Sequence, residues 1–179
     1  MRRIRYAVAM SLDGYIAGPA GEADWIIMDP EIDFAAIMEQ FDTFLLGRRT
    51  FEAMGSGGQV GSPGTKTLVF SRTLRQSDYP KATIVSEKIE ETVSALRAEK
   101  GKDIWLFGGG GLFRSLLDAG LVDTVEVAII PVLLGEGIPL LPPPAKQTKL
   151  KLTGHKIYSK TGTVLLEYSI HKPTRKPRK

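Results

Sequence analysis

Residues 104–121, IWLFGGGGLFRSLLDAGL, set four consecutive glycines, Gly108 to Gly111, between two apolar segments. Backbone without side chains adopts positive φ and lets a ligand approach closely. If the apolar run ahead of the glycines is a strand and Leu112 opens a helix, the unpaired first amides of that helix and the positive end of its dipole converge on one spot. A phosphate is the group such a corner holds. A linker or a tight turn is the plainer alternative. A linker would carry serines and polar flanks, however, and Leu106-Phe107 and Leu112-Phe113 clamp this segment.

Two further corners have the same make-up. FLLGRRTFEAM, residues 44–54, places Gly47 at a turn, with Arg48 and Arg49 as cations and Thr50 as a hydroxyl where a helix should start. TLVFSR, residues 67–72, puts Ser71 and Arg72 directly after a strand. Each arginine alone reads as a solvated surface charge. Three anion-suited strand ends in one sheet fit a dinucleotide with an extra ribose phosphate, and a guanidinium fork suits the phosphomonoester. The Rossmann spacing fails, because the third glycine would fall on Phe113 or Arg114. The P-loop spacing fails as well, since Thr65 separates Gly64 from Lys66.

These corners need a layered scaffold. Residues 3–10 alternate as a strand, and a long loop containing Tyr15-Ile16-Ala17 follows. Asp29 and Pro30 read as N-cap and first residue of a helix that buries Phe34, Ile37, Met38 and Phe41. Strands are predicted over 43–46, 66–70, 82–85 and 103–107, with 55–64 as a mobile loop. Ser86 reads as the cap of a helix that carries Glu87, Glu90 and Glu91 in its first turns and stops at Gly101. Leu112, Phe113, Leu116, Leu117 and Leu121 stripe the next helix, up to Gly120. Period-two segments at 124–130, 150–158 and 163–170 then run without helices, the last two as a hairpin. This pattern predicts an α/β domain: a mostly parallel sheet, helices on both faces and an antiparallel hairpin edge.

The 179 residues suit a single domain, 1–171, followed by a basic tail, 172–179, expected to be disordered. That tail holds five cationic side chains, and removing them from the net charge of +4 leaves the body at −1. The basicity therefore does not point to nucleic acid. The absence of cysteine excludes disulfides, thiol nucleophiles and a Cys-ligated zinc, and two histidines make a His-rich metal site unlikely, so no metal is expected. No run reaches the ~18 apolar residues of a membrane span, and the expected location is the cytoplasm.

The segments AMSLDGYIA (9–17), LLGRRTFE (45–52), WLFGGGGLFRSLLDAGLVD (105–123) and PVLLGEGIPLL (131–141) occur in the order seen in a known family. Through them the chain resembles the dihydrofolate reductase superfamily, and most closely the reductase domain of the riboflavin-biosynthesis protein RibD, over roughly residues 3–170. The resemblance implies a dihydrofolate reductase-like three-layer αβα fold and an NADPH-dependent reductase of a pyrimidine- or pterin-like ring. Within that class it favours reduction of 5-amino-6-(5-phosphoribosylamino)uracil in riboflavin biosynthesis. Dihydrofolate reduction is the second reading, and a nucleotide-binding module without turnover the third. By the same resemblance, Gly47 to Thr50 and Gly108, Gly109, Gly110, Gly111, Leu112 and Phe113 touch the pyrophosphate, and Ser71 and Arg72 flank the ribose phosphate. Asp13 and Asp33 are the implied catalytic carboxylates, with Glu31 a rival to Asp33, and a poorly hydrated pocket would raise such a carboxyl toward neutrality. Trp25, free either to stack on a ring or to pack the core, and Glu136 in the late Gly-x-Gly loop fall on the substrate side. Relatives of this type pair, so a homodimer is expected. Two departures stand out: Trp25 is followed by Ile-Ile-Met rather than Leu-Pro, and there is no zinc deaminase domain.

Overall fold

Buried on both faces, the central strands read as continuous apolar runs, and the structure shows where each alternate residue goes. A computed structural model of the protein describes residues 1–55, 61 and 64–171. Ten strands are described: β1 (Ile4–Ser11), β2 (Tyr15–Ala17), β3 (Phe41–Gly47), β4 (Lys66–Phe70), β5 (Thr83–Val85), β6 (Asp103–Gly108), β7 (Thr124–Ile130), β8 (Ile138–Pro139), β9 (Leu150–Tyr158) and β10 (Thr163–Ile170). Four α-helices join them: α1 (Phe34–Met38), α2 (Arg48–Ala53), α3 (Ile89–Ala98) and α4 (Gly110–Asp118). Eight strands form one sheet in the order β5-β4-β3-β6-β1-β7-β10-β9, and β2 pairs with β8 in a separate two-stranded sheet. β5 through β7 in that order are parallel, and β10 and β9 close the sheet as an antiparallel hairpin.

Leu45, Leu68, Ile104 and Leu106 point to one face, where Val93 of α3 and Leu116 of α4 cover them. Phe44, Leu46, Val69 and Trp105, their sequence neighbours, point to the other face, under Phe51 of α2 and Ile37 of α1. This is the expected three-layer arrangement with a mostly parallel mixed sheet. Each fully buried aliphatic side chain contributes about 1.5–3 kcal/mol, so the two clusters hold the sheet rigid beneath its edges. Because the six parallel strands share a direction, their carboxyl ends, at Ser11, Gly47, Phe70, Val85, Gly108 and Ile130, line one edge. Open α/β sheets bind ligands at that edge.

Three helix expectations need correction. The first helix starts at Phe34 with Asp33 as its cap, not at Asp29-Pro30. The Asp29 carboxylate is engaged by the backbone of Glu31 and by Thr161, so it closes a turn instead. Phe41 belongs to β3, and Phe34 is substantially exposed, so the predicted buried stripe shrinks to Ile37 and Met38. α3 starts at Ile89, after Lys88 in the left-handed region (φ 53°), with no side-chain cap from Ser86, and it ends at Ala98. Its apolar stripe, Ile89, Val93 and Leu96, sets where it must begin to meet the sheet. α4 starts at Gly110, two residues before Leu112, so the last two glycines belong to the helix. The proposed mobile loop at 55–64 and the basic tail fall largely or wholly outside the described residues.

Candidate active site

The glycine run has separate reasons along its length. Gly108 ends β6 with φ 148°, a backbone state that side chains disfavour. A Cβ on Gly110 would lie 2.7 Å from the Pro139 carbonyl oxygen, so the 139–142 segment seals that side of α4. A Cβ on Gly111 would meet nothing within 4 Å, and this position faces open space. α4 has no side-chain N-cap, which leaves its first amides without partners inside the helix.

The β3–α2 corner sits against the β6–α4 corner. A Cβ on Gly47 would be 3.6 Å from the Gly109 nitrogen and 3.7 Å from the Gly108 oxygen. One on Gly109 would be 3.2 Å from the Thr50 hydroxyl. Two corners more than fifty residues apart in sequence thus form one seam. From it runs a groove of about 680 Å³, lined by Gly47, Gly111 and Leu112 on one side and by Ser71, Arg72 and the 85–91 segment on the other. Five of the residues assigned to the cofactor from sequence share this groove.

Individual side chains are more constrained than sequence suggested. The Ser71 hydroxyl accepts from the amides of Thr73 (3.2 Å) and Leu74 (3.1 Å), so it shapes the turn that presents Arg72. The Phe113 ring stacks on Tyr6 at 3.9 Å in the core and its amide donates to the Gly109 carbonyl at 3.1 Å, so neither faces a ligand. Arg48 pairs with Glu52 one turn along α2, at 3.2 Å, and Arg49 is exposed. Lys88, Glu87, Glu90 and Glu91 also line the groove. Sequence reading assigned Glu87, Glu90 and Glu91 only to a helix start and gave Lys88 no role, and nothing local marked the turn at Lys88 that swings them there.

The side expected to take the substrate is built from loops. Asp13 accepts from Ser11 Oγ (2.6 Å), Gly135 N (2.7 Å) and Leu134 N (3.1 Å). The Ser11 hydroxyl above all, with the Gly135 amide, holds the Asp13 carboxyl below the usual carboxylate range. The expected upward shift is therefore not found: Asp13 lies exposed among donors, not in an apolar pocket, and it anchors the 131–141 loop as an anion. Beside it, Glu136 is exposed between Gly135 and Gly137. Asp33 caps α1 by accepting from Ala36 N at 2.9 Å through Oδ1. The half-buried Trp25 donates from Nε1 to the Glu22 carbonyl at 3.1 Å. The exposed Phe34 ring lies 6.0 Å from Trp105, and Trp105 lies 5.2 Å from Phe107. These aromatics beside α1 were passed over in sequence because they read as core. Among the described residues no helix is long and apolar enough to cross a membrane, and no group of three potential metal-ligating side chains gathers.

Comparison with known proteins places this geometry. The chain is 38% identical to the uncharacterized protein YyaP of Bacillus subtilis strain 168, over 93% of its own length and 94% of that protein. It superposes on a crystal structure from Shewanella sp. PV-4, described as a candidate riboflavin biosynthesis protein, with a TM-score of 0.78 at 26% identity, covering 96% of this chain and all of that one. It shares its fold with the dihydrofolate reductase of Enterococcus faecalis complexed with NADP(H) and RAB-propyl, with a TM-score of 0.68 at 20% identity, covering 95% and 97% of the two chains. Residues 2–164 match the RibD C-terminal domain, and the chain belongs to that family.

Proposed function

We propose that the protein is an NADPH-dependent reductase that delivers a hydride to a pyrimidine- or pterin-like ring, with 5-amino-6-(5-phosphoribosylamino)uracil as the preferred candidate substrate. The observation that carries this reading is the groove in which Gly47, Arg72, Gly111 and Leu112 come together over the Gly47–Gly109 seam. Its closed backbone end and open Gly111 position fit a diphosphate at the α4 amides, and Arg72 fits the ribose phosphate at the far end. When bound, NADPH supplies the hydride from C4 of its nicotinamide.

The chain's own part is to hold, orient and shield. The α4 amides and the Thr50 hydroxyl position the diphosphate, and Arg72, with Lys88 lining the same groove, distinguishes NADPH from NADH. Asp13, kept ionised, fixes the 131–141 loop, which carries Glu136, against the end of β1. Asp33, at the solvent-facing start of α1, is the carboxylate assigned to the ring nitrogen and to proton delivery. Phe34 and Trp25 offer aromatic faces to a flat ring. A nucleotide-binding module without turnover would have the same groove. The two readings separate on NADPH titration followed by NADPH oxidation with the uracil substrate and with dihydrofolate: binding without oxidation supports the module. A homodimer in the cytoplasm completes the proposal, and light scattering on the purified chain tests the pairing.

A further inference from the structure

Asp29 is completely buried in a stretch whose neighbours Ile27 and Met28 are 64% and 51% exposed. Nothing in the packing of an apolar core calls for a carboxylate there, and an unsatisfied one would be costly. Its oxygens are satisfied by chain segments far apart in sequence. Oδ1 accepts from the Glu31 amide at 2.9 Å. Oδ2 accepts from the Thr161 amide at 3.0 Å and from the Thr161 hydroxyl at 2.9 Å. Burial alone would push this carboxyl up; the donors on Glu31 and Thr161 outweigh it and hold the group below the usual range. Lys160 beside it pairs loosely with Glu31, at 3.7 Å.

Both ends of this tie lead to the substrate side. Downstream, the Ile32 amide donates to the Asp29 carbonyl and the Phe34 amide to that of Ile32, each at 3.0 Å, and Asp33 then caps α1. The position of Asp33 and Phe34 is therefore set by the turn that Asp29 closes. Thr161 belongs to the β9–β10 turn, and its hydroxyl also lies 2.9 Å from that of the buried Thr163. The same turn abuts the start of the 131–141 loop, since a Cβ on Gly162 would lie 3.4 Å from Pro131 Cγ. Pro131 begins the segment that Asp13 holds.

We propose that Asp29 is a positioning residue for substrate binding: through Thr161 it fastens the loop before α1 to the C-terminal hairpin turn, and so fixes the Asp33–Phe34 wall. This role rests on the reductase reading above. It adds to that reading a specific link between a turn remote in sequence and the ring-binding side of the site.

Thr161→Val removes the hydroxyl from the tie and keeps the amide, Thr161→Ser keeps both, and Asp29→Asn removes the charge. Steady-state kinetics with NADPH, using 5-amino-6-(5-phosphoribosylamino)uracil and dihydrofolate as probes, should show the KM of the accepted probe rising roughly five- to twentyfold in Thr161→Val and Asp29→Asn. Small displacements of a binding wall produce losses of this order. NADPH affinity should stay within about twofold of wild type, and Thr161→Ser should restore the wild-type KM. Hydrogen exchange should quicken over residues 18–36 in the valine variant and not in the serine variant. If KM is unchanged while exchange quickens, Asp29 is structural only and the proposal fails. It fails equally if KM rises while NADPH affinity and the melting temperature fall with it. A wild-type protein that oxidises NADPH with neither probe overturns the reductase reading and, with it, this role. Should Asp29→Asn not fold, the valine–serine pair decides alone.

Discussion

The two sides of the carboxyl edge are built by different means. On the side proposed for the cofactor, the β3–α2 and β6–α4 corners meet through backbone, with Gly47 against Gly109 and Thr50 beside Gly108 and Gly109. Buried strands hold them: Leu46, Val69 and Leu106 lie directly beneath. On the substrate side, loops meet through carboxylates, with Asp13 bonded to the 134–135 amides and Asp29 to Thr161. Backbone contact over a rigid sheet suits a ligand that stays the same, and loops held by side-chain ties suit one that differs between relatives.

Four perturbations test that contrast, the largest first. Asp33→Asn should lower turnover roughly hundredfold, in the range for loss of a positioned acid or base. Asparagine caps helices as well as aspartate, so the melting temperature and the NADPH dissociation constant should barely move. Full turnover in this variant would remove Asp33 from the chemistry. Gly110→Val should act on the other side. It forces a Cβ toward the Pro139 carbonyl, 2.7 Å away. Overpacking of that kind costs about 1–3 kcal/mol, a fall of roughly 2–12 °C in calorimetry at about 2–4 °C per kcal/mol, and NADPH affinity should fall roughly tenfold or more as the α4 amides shift. Arg72→Ala should weaken NADPH roughly tenfold in titration calorimetry, a loss of about 1.4 kcal/mol, near the low end of the range for a charged hydrogen bond. NADH affinity should be unaffected, and equal losses for the two nucleotides would move the ribose phosphate away from Arg72.

The smallest effect is one of pH. The folded-state pKa of Asp13 lies below its unfolded value, so its tie contributes fully above the unfolded value of about 3.9. That contribution is lost as pH falls through the lower folded value. The amide resonances of Leu134 and Gly135 should titrate together in that acid window, and Asp13→Asn should abolish the transition. The amide of Gly110 should show no matching step, because among the described residues no carboxylate accepts from it.

The same contrast explains what could be read from sequence. The strand-to-helix corners at Gly47 and at 108–111 were legible because a glycine between an apolar strand and an apolar helix states its backbone requirement locally. The layers were legible too, since Leu45 and Leu46, or Trp105 and Leu106, can alternate only in a strand covered on both faces. The substrate side was misread where local rules competed with distant ones. Asp29-Pro30 has the look of a helix start, yet the Asp29 carboxylate is claimed by Thr161, 132 positions later. Asp13 fits a catalytic motif, yet its oxygens are filled by amides more than a hundred residues on. Lys88 reaches the groove only through a left-handed turn that no residue type nearby announces.

A crystal structure of the protein with NADPH tests the central claim most directly. The account predicts diphosphate oxygens within hydrogen-bonding distance of the amides at 110–112 and of the Thr50 hydroxyl, with the ribose phosphate beside Arg72. NADPH bound elsewhere, as in the cavity of about 390 Å³ formed by Leu117, Lys149 and His171 at the far end of α4, or a groove left empty at saturating NADPH, would contradict it.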